Sequence, residues 1–341
     1  MFSSSFETPV VLEVIRTRGE EWVQSRTGRI RGHTSWEQLT AANMKDSEFS
    51  FEVGKDPVTP VVKEAYNKNG YVILRNVLSE AEVKKLRRTM ECEGIQRHAY
   101  VTADGEDRQS GLVIWFTVDD DVPSMVLSSE KVAGVMEKLM GDEEVYHFSS
   151  KLIMKNPGSR GAFTWHQDYG YFYTWGYIYP DSSSVFIALD ECTRETGCLQ
   201  VIKGSHHMGR INHFVTGKML QADPEIVAEA KKRLEVVDVV MKPGDAMYFS
   251  GNLLHCSLPN VSNKPRWSYV IAYNQKHNQT YMKPGHPLYT PHPGYIPLKK
   301  VPDSSILSCK DNFDMEKKWF LKGDEDLSRS SDAVKTADKE Q

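Results

Sequence analysis

Up to about Pro60 the chain shows no sustained hydrophobic period, so residues 1–59 read as an N-terminal extension. From Pro60 the pattern sharpens. PVVKEAYNKNG predicts a short helix stopped at Gly70, where a positive φ costs least. YVILRNVL follows as a β-rich strand, and Ser79 with Glu82 forms a capping box for a helix reaching Met90. SEKVAGVMEKLMG predicts another helix, from about Ser129 to Gly141. The chain then turns to short runs rich in β-branched and aromatic residues: VYHFSSKLIMK, AFTWHQDYG, SSVFIALDE, GCLQVIKGS, EVVDVVMK, DAMYFSG and PRWSYVIAYN. Turn signals separate most of them, among them NPGSRG, the ETG of Glu195 to Gly197 and the KPGD of Lys242 to Asp245. One helix interrupts, with Asp223 as N-cap and Pro224 at its first position. Many short strands without alternating helices predict an all-β core with added helices, an antiparallel sandwich or barrel. That domain spans 60–300. Residues 301–341 turn polar and charged and are expected to form a mobile tail.

Composition changes this picture little. The 341 residues carry 42 Lys+Arg against 46 Asp+Glu, so no basic surplus points to nucleic acid or an anionic membrane. No window approaches the ~20 apolar residues of a membrane span. The five cysteines form no CxxC pair, which argues against a disulfide framework or a zinc knuckle. The N-terminal residues lack a secretory pattern, and the last residues are no peroxisomal address. A cytoplasmic protein acting on a small-molecule substrate is the expectation.

The candidate chemistry begins at His166-Gln167-Asp168. In a strand, residues i and i+2 share a face, so His166 and Asp168 can reach one metal ion together. A further neutral nitrogen would complete a facial triad with open positions, and His255 in NLLHCS supplies it. With 11 His and 46 acids, an H-x-[DE] match alone is weak evidence. Arg266 adds weight: it lies eleven residues beyond His255, across the turn-like SLPNVSNKP, and opens the next strand. A guanidinium there can hold a carboxylate bidentately, and Ser257 on the face of His255 can add a hydroxyl. Metal triad plus carboxylate clamp is what a 2-oxoacid cosubstrate requires. Lys151 could add a cation to the cosubstrate or substrate; Lys155, four residues on, has the weaker claim. From Tyr169 to Tyr179 every odd residue is aromatic. The stretch reads as a lid over the substrate or as packing, with Tyr173 and Trp175 as substrate contacts. His147, His206, His207 and Cys256 read as structural, and HPLYTPHPGY as a proline-rich surface loop.

The runs NPGSRGAFTWHQDYGYFY, IALDECTRETGCLQVIKGSHHMGR and KPGDAMYF, with LLHCS and NKPRW beyond them, resemble the phytanoyl-CoA dioxygenase family. The likeness extends from about Pro60 to Asn274. It is greatest to bacterial-type members, and around WHxD to ectoine hydroxylase. The resemblance implies a double-stranded β-helix, a cupin-like jelly roll. It implies Fe(II) on His166, Asp168 and His255, with no catalytic group beyond the metal centre, and 2-oxoglutarate on Arg266 and Ser257. O2 is the oxidant, and ascorbate an accessory reductant. A carboxylate at Asp168 fills the position that related halogenases leave open, so hydroxylation is expected. Two rivals predict different behaviour: a cupin-like metalloenzyme without 2-oxoglutarate, and a non-catalytic binding barrel.

Overall fold

The computed structural model describes strands within 12–29 and then residues 46–321, apart from 104–108, 160, 217–218, 284–293 and 314. Residues 1–44 and 45–341 form two compact units. In the first, Leu12–Thr17, Glu20–Ser25 and Gly28–Arg29 make an antiparallel meander. The proline-rich loop predicted from His286 onward falls mostly outside the described residues.

In the second unit, strands β1 (Glu48–Ser50), β2 (Tyr71–Arg75), β3 (Tyr100–Ala103), β4 (Gln109–Trp115) and β5 (Val145–Lys155) precede the jelly-roll core. That core continues with β6 (Phe163–His166), β7 (Ser182–Ala188), β8 (Leu199–Ile202), and the hairpin β9 (His213–Thr216) and β10 (Met219–Ala222). It closes with β11 (Val236–Val239), β12 (Ala246–Ser250), β13 (His255–Ser257) and β14 (Arg266–Gln275). The eight-stranded sheet runs β1-β2-β12-β7-β14-β5-β4-β3, and the four-stranded sheet β11-β8-β13-β6. This is the expected double-stranded β-helix. Because β1 pairs in parallel with β2, the sheet begins earlier than residue 60.

Helices α1 (Pro60–Asn69), α2 (Glu80–Met90), α3 (Val122–Ser128) and α4 (Val135–Leu139) cover one face of the large sheet. Thr59 caps α1, and Gly70 ends it at φ 80°. A Cβ on Gly70 would also sit 2.5 Å from the His206 ring, so glycine is required twice over. The Ser79–Glu82 box forms, and Glu82 is further held by the Lys131 ammonium at 2.7 Å. The helix expected from Ser129 instead opens with a π turn, Glu130–Gly134, in which the Val135 N–H reaches back to Glu130 O. The predicted Asp223 cap is observed on Pro224–Arg233.

The period of two divides the central strands cleanly. Leu152, Val185, Ile187, Tyr248, Tyr269 and Ile271 point into the core beneath the helices. Their alternate neighbours Lys151, Ile153, Phe186, Phe249, Arg266 and Val270 line a cavity on the other face. One sheet therefore builds the core with one set of residues and the site with the other.

The C-terminal stretch departs from the expected tail. Residues up to 321 pack: Leu321 N–H donates to Ile114 O (3.0 Å) and Phe116 N–H to Trp319 O (3.1 Å), extending the sheet beside β4. Phe320 joins the core, and Leu321 lines the cavity. Lys318 is the anchor, its fully buried ammonium 2.9 Å from Asp119 and 2.8 Å from Asp121. Polar composition concealed this because the buried lysine is matched by aspartates far along the chain. Lys318→Met leaves both carboxylates unpaired and is expected to cost about 3 kcal/mol in urea denaturation. A loss below about 1 kcal/mol would mean the anchor lies elsewhere.

Candidate metal centre and active site

β6 carries His166 to the cavity and stops there. Gln167 remains extended, and Asp168 opens helix α5, Asp168–Thr174. The pair thus shares a direction through one extended residue, though Asp168 stands on a helix rather than on the predicted strand. His255 lies directly opposite His166 across the β13–β6 pairing. Ligand atoms of His166, Asp168 and His255 all fall within 4.8 Å of one another, and all three residues are buried.

Backbone carbonyls fix both imidazoles. His166 Nδ1–H donates to Thr164 O at 2.7 Å and His255 Nδ1–H to Leu253 O at 3.0 Å. Each ring keeps its Nε2 lone pair for a metal. Burial, with His255 alongside, pushes His166 down to about 3, and burial lowers His255 as well. Both are neutral near pH 7, as ligation requires. Burial alone would raise the Asp168 carboxyl. Lys151, the two histidines and the Ser184 hydroxyl outweigh it and hold the group below the usual carboxylate range. Ser184 Oγ donates to Asp168 Oδ2 at 2.6 Å, leaving Oδ1 turned toward Lys151 at 3.7 Å. Two neutral nitrogens and one carboxylate oxygen suit Fe(II), with room for further ligands.

Gln167, between the two ligands, points the other way and is fully buried. Its amide donates to Gly209 O and Asn252 O and accepts from the Ile211 N–H, all at 2.8 Å. The β6–α5 junction is thereby tied to the loop that delivers His255. His213 completes the support. Its Nδ1–H donates to Ile211 O (2.8 Å), its Nε2 accepts the Gln167 N–H (2.9 Å), and burial lowers it to about 4.

The cations of the expected carboxylate clamp stand on the eight-stranded sheet, whereas His166 and His255 stand on the four-stranded one. Arg266 and Lys155 stand opposite each other on β14 and β5, both with no exposed surface. Lys155 Nζ donates to Ser257 Oγ at 2.8 Å and also to Leu258 O. Arg266 donates to Gly197 O (2.5 Å) and Ser268 Oγ (3.1 Å), while its buried Nε has no partner. Gly197, from the ETG turn, has φ 86°, and a Cβ there would meet Leu258 O at 2.5 Å. Burial, then Arg266, drives Lys155 well below its ordinary value, and burial lowers Arg266. Among the described residues neither cation has a carboxylate within salt-bridge distance. Asp190, the acid nearest in charge terms, receives the Trp267 N–H and faces Arg87. Two adjacent buried cations of this kind call for an anionic ligand.

The other predicted residues divide. Lys151 lines the cavity at the metal end rather than beside Arg266, so Lys155 holds the place beside Ser257 that the sequence reading favoured less. Residues 169–174 are helical, and rings spaced by two on the chain therefore scatter around α5. Tyr169 and Phe172 bury with Tyr177. Trp175 lines the cavity. Tyr173 does not: it is 43% exposed with Arg210 over its ring, and Tyr171 faces the cavity instead. His147 is buried and His206 bonds Asn67 O, both structural, while the buried thiol of Cys256 also lines the cavity.

A jelly-roll barrel with a buried His–Asp–His set and two buried basic side chains is an arrangement that a non-haem iron protein using a 2-oxoacid requires. The chain belongs to the phytanoyl-CoA dioxygenase family, whose model matches residues 66–268, and is an Fe(II)- and 2-oxoglutarate-dependent oxygenase. It is 29% identical to the L-proline trans-4-hydroxylase of Streptomyces griseoviridis over 67% of this chain and 90% of that one. It is 28% identical to the ectoine dioxygenase of Sphingopyxis alaskensis, over 65% and 78% respectively. The crystal structure of EctD from S. alaskensis with 2-oxoglutarate and 5-hydroxyectoine shares the fold, with a TM-score of 0.58 and 24% identity over 76% of this chain and 93% of that one.

Ser184→Ala frees Asp168 Oδ2 and is expected to weaken Fe(II) binding roughly 10–100-fold in an anaerobic titration. Unchanged affinity would show that Asp168 is positioned without it.

Proposed function

We propose that this protein hydroxylates a small organic molecule at an iron held by His166, Asp168 and His255. The distal carboxylate of 2-oxoglutarate is held by Arg266, Lys155 and Ser257. One observation carries this reading: two buried cations without a carboxylate partner, beside a cavity that also holds a neutral His–Asp–His set. The relatives named above support a small-molecule substrate.

When bound, the iron and 2-oxoglutarate supply the O2-activating chemistry that couples decarboxylation to succinate with hydroxylation of a C–H bond. The chain's own residues do the rest. Arg266 and Lys155 neutralise the cosubstrate and fix its orientation through charge-assisted hydrogen bonds, with Ser257 bridging toward the cavity. Ser184 holds one oxygen of Asp168 so that the other is presented to the metal. Phe172, Trp175 and Phe186 exclude water from the reacting centre. Lys151 stays outside the clamp, at the metal end of the site.

Arg266→Ala and Lys155→Met should each raise the KM for 2-oxoglutarate on the order of 10–100-fold, the worth of one or two charge-assisted hydrogen bonds. His255→Ala should abolish succinate release under iron, ascorbate and O2. Retained turnover in His255→Ala would overturn the site assignment. An anaerobic Fe(II) titration that 2-oxoglutarate leaves spectrally unchanged would favour the cupin-like reading, and failure to retain iron the binding barrel.

A further inference from the structure

The cavity contains one cation that the proposed clamp leaves unused. Lys151 sits on β5 between Ser149 and Ile153 and opposite Ile114 of β4, with its ammonium 3.7 Å from Asp168 Oδ1. That distance is too long for a hydrogen bond. Asp168 is also the sole carboxylate lining this cavity among the described residues. Once that carboxylate is committed to a divalent ion, Lys151 faces the cavity without an anion of its own.

Charge and surface around it are complementary. With Fe(II) and 2-oxoglutarate in place, the ion, Arg266, Lys155 and Lys151 outweigh Asp168 and the cosubstrate dianion by two positive charges. A cationic substrate would enter against that surplus, and an anion would relieve it. Beyond Lys151 the wall is apolar: Leu112, Ile114 and Phe116 of one cluster, packed with Ile153, Phe163 and Leu321. Phe172 and Trp175 line the cavity as well. Tyr171, the polar ring there, has its hydroxyl engaged with Leu220 O (3.3 Å) and accepting the Leu220 N–H (2.9 Å).

We infer that the substrate is a small carboxylate with an apolar body, its carboxylate received by Lys151 and its body lying against the Leu112–Ile114–Leu321 wall. A single ammonium suits a monoanion. A dianionic phosphonate would leave charge without a donor in so apolar a cavity. This inference rests on the proposed oxygenase reading, and its test separates the two.

The anaerobic Fe(II)/2-oxoglutarate complex is titrated with butanoate, hexanoate, cyclohexanecarboxylate and L-proline, each beside its amide and an amine of the same carbon frame. Methylphosphonate serves as the competing oxyanion. Perturbation of the charge-transfer spectrum reports binding, and succinate release in air reports coupling. At least one carboxylate is expected to bind and to stimulate turnover on the order of 10-fold above its amide, as one charge-assisted hydrogen bond gives. Lys151→Met should erase that preference and Lys151→Arg should keep part of it. Equal responses to acid and amide, preference for an amine or for methylphosphonate, silence toward every carboxylate, or a preference that survives in Lys151→Met would each overturn the inference. A complex that shows no 2-oxoglutarate spectrum at all overturns the oxygenase reading, and this inference with it.

Discussion

The geometry of this site depends on the buried amide of Gln167. A metal triad needs its three donors fixed to a fraction of an ångström, yet here they come from a strand end, a helix start and a separate strand. Each of those is an element terminus, where backbone groups have lost their regular partners. The Gln167 side chain supplies them, taking the carbonyls of Gly209 and Asn252 and the Ile211 N–H. Its own N–H goes to a histidine that must stay neutral to accept it. The residue between two ligands, facing away from the metal, therefore fixes where all three point.

The second constraint is electrostatic. Burying a lysine and an arginine side by side, without an acid, costs several kcal/mol per ion relative to a solvated pair. The fold offsets part of this with carbonyls of Gly197 and Leu258 and the hydroxyls of Ser257 and Ser268. The remainder falls to the ligand. Cosubstrate binding and local stability are consequently linked: whatever neutralises Arg266 and Lys155 also tightens the β14–β5 region of the barrel.

Much of this was legible in the sequence because it is local. The capping box at Ser79, the Gly70 stop and the HxD pair each follow from spacing over a dozen residues or fewer, whereas His255 and Arg266 stand on different sheets and form no hairpin. What escaped is what depends on tertiary partners. Aromatic residues at every second position from Tyr169 read as a lid or as packing, and no helix is expected there. The β6 ladder nevertheless ends at His166, and the Tyr169 N–H is taken by Gly251 O, which lets a helix start. Lys151 and Lys155 share one strand face, and only the register against β14 separates the lysine opposite Arg266 from the one opposite Val270. Ser184 and His213 carried no signal of their own. Each acts on a group far along the chain.

The C-terminal segment gives the molecule a division of labour. Residues matching the family end at 268, after the whole iron and cosubstrate machinery. Leu321, which closes part of the cavity wall, arrives more than fifty residues later on a strip held by one lysine and two aspartates. Part of the cavity wall is thus encoded outside the stretch that holds the chemistry. A lineage could exchange the strip, by splicing, insertion or drift, and explore new molecules while every residue that handles oxygen stays untouched.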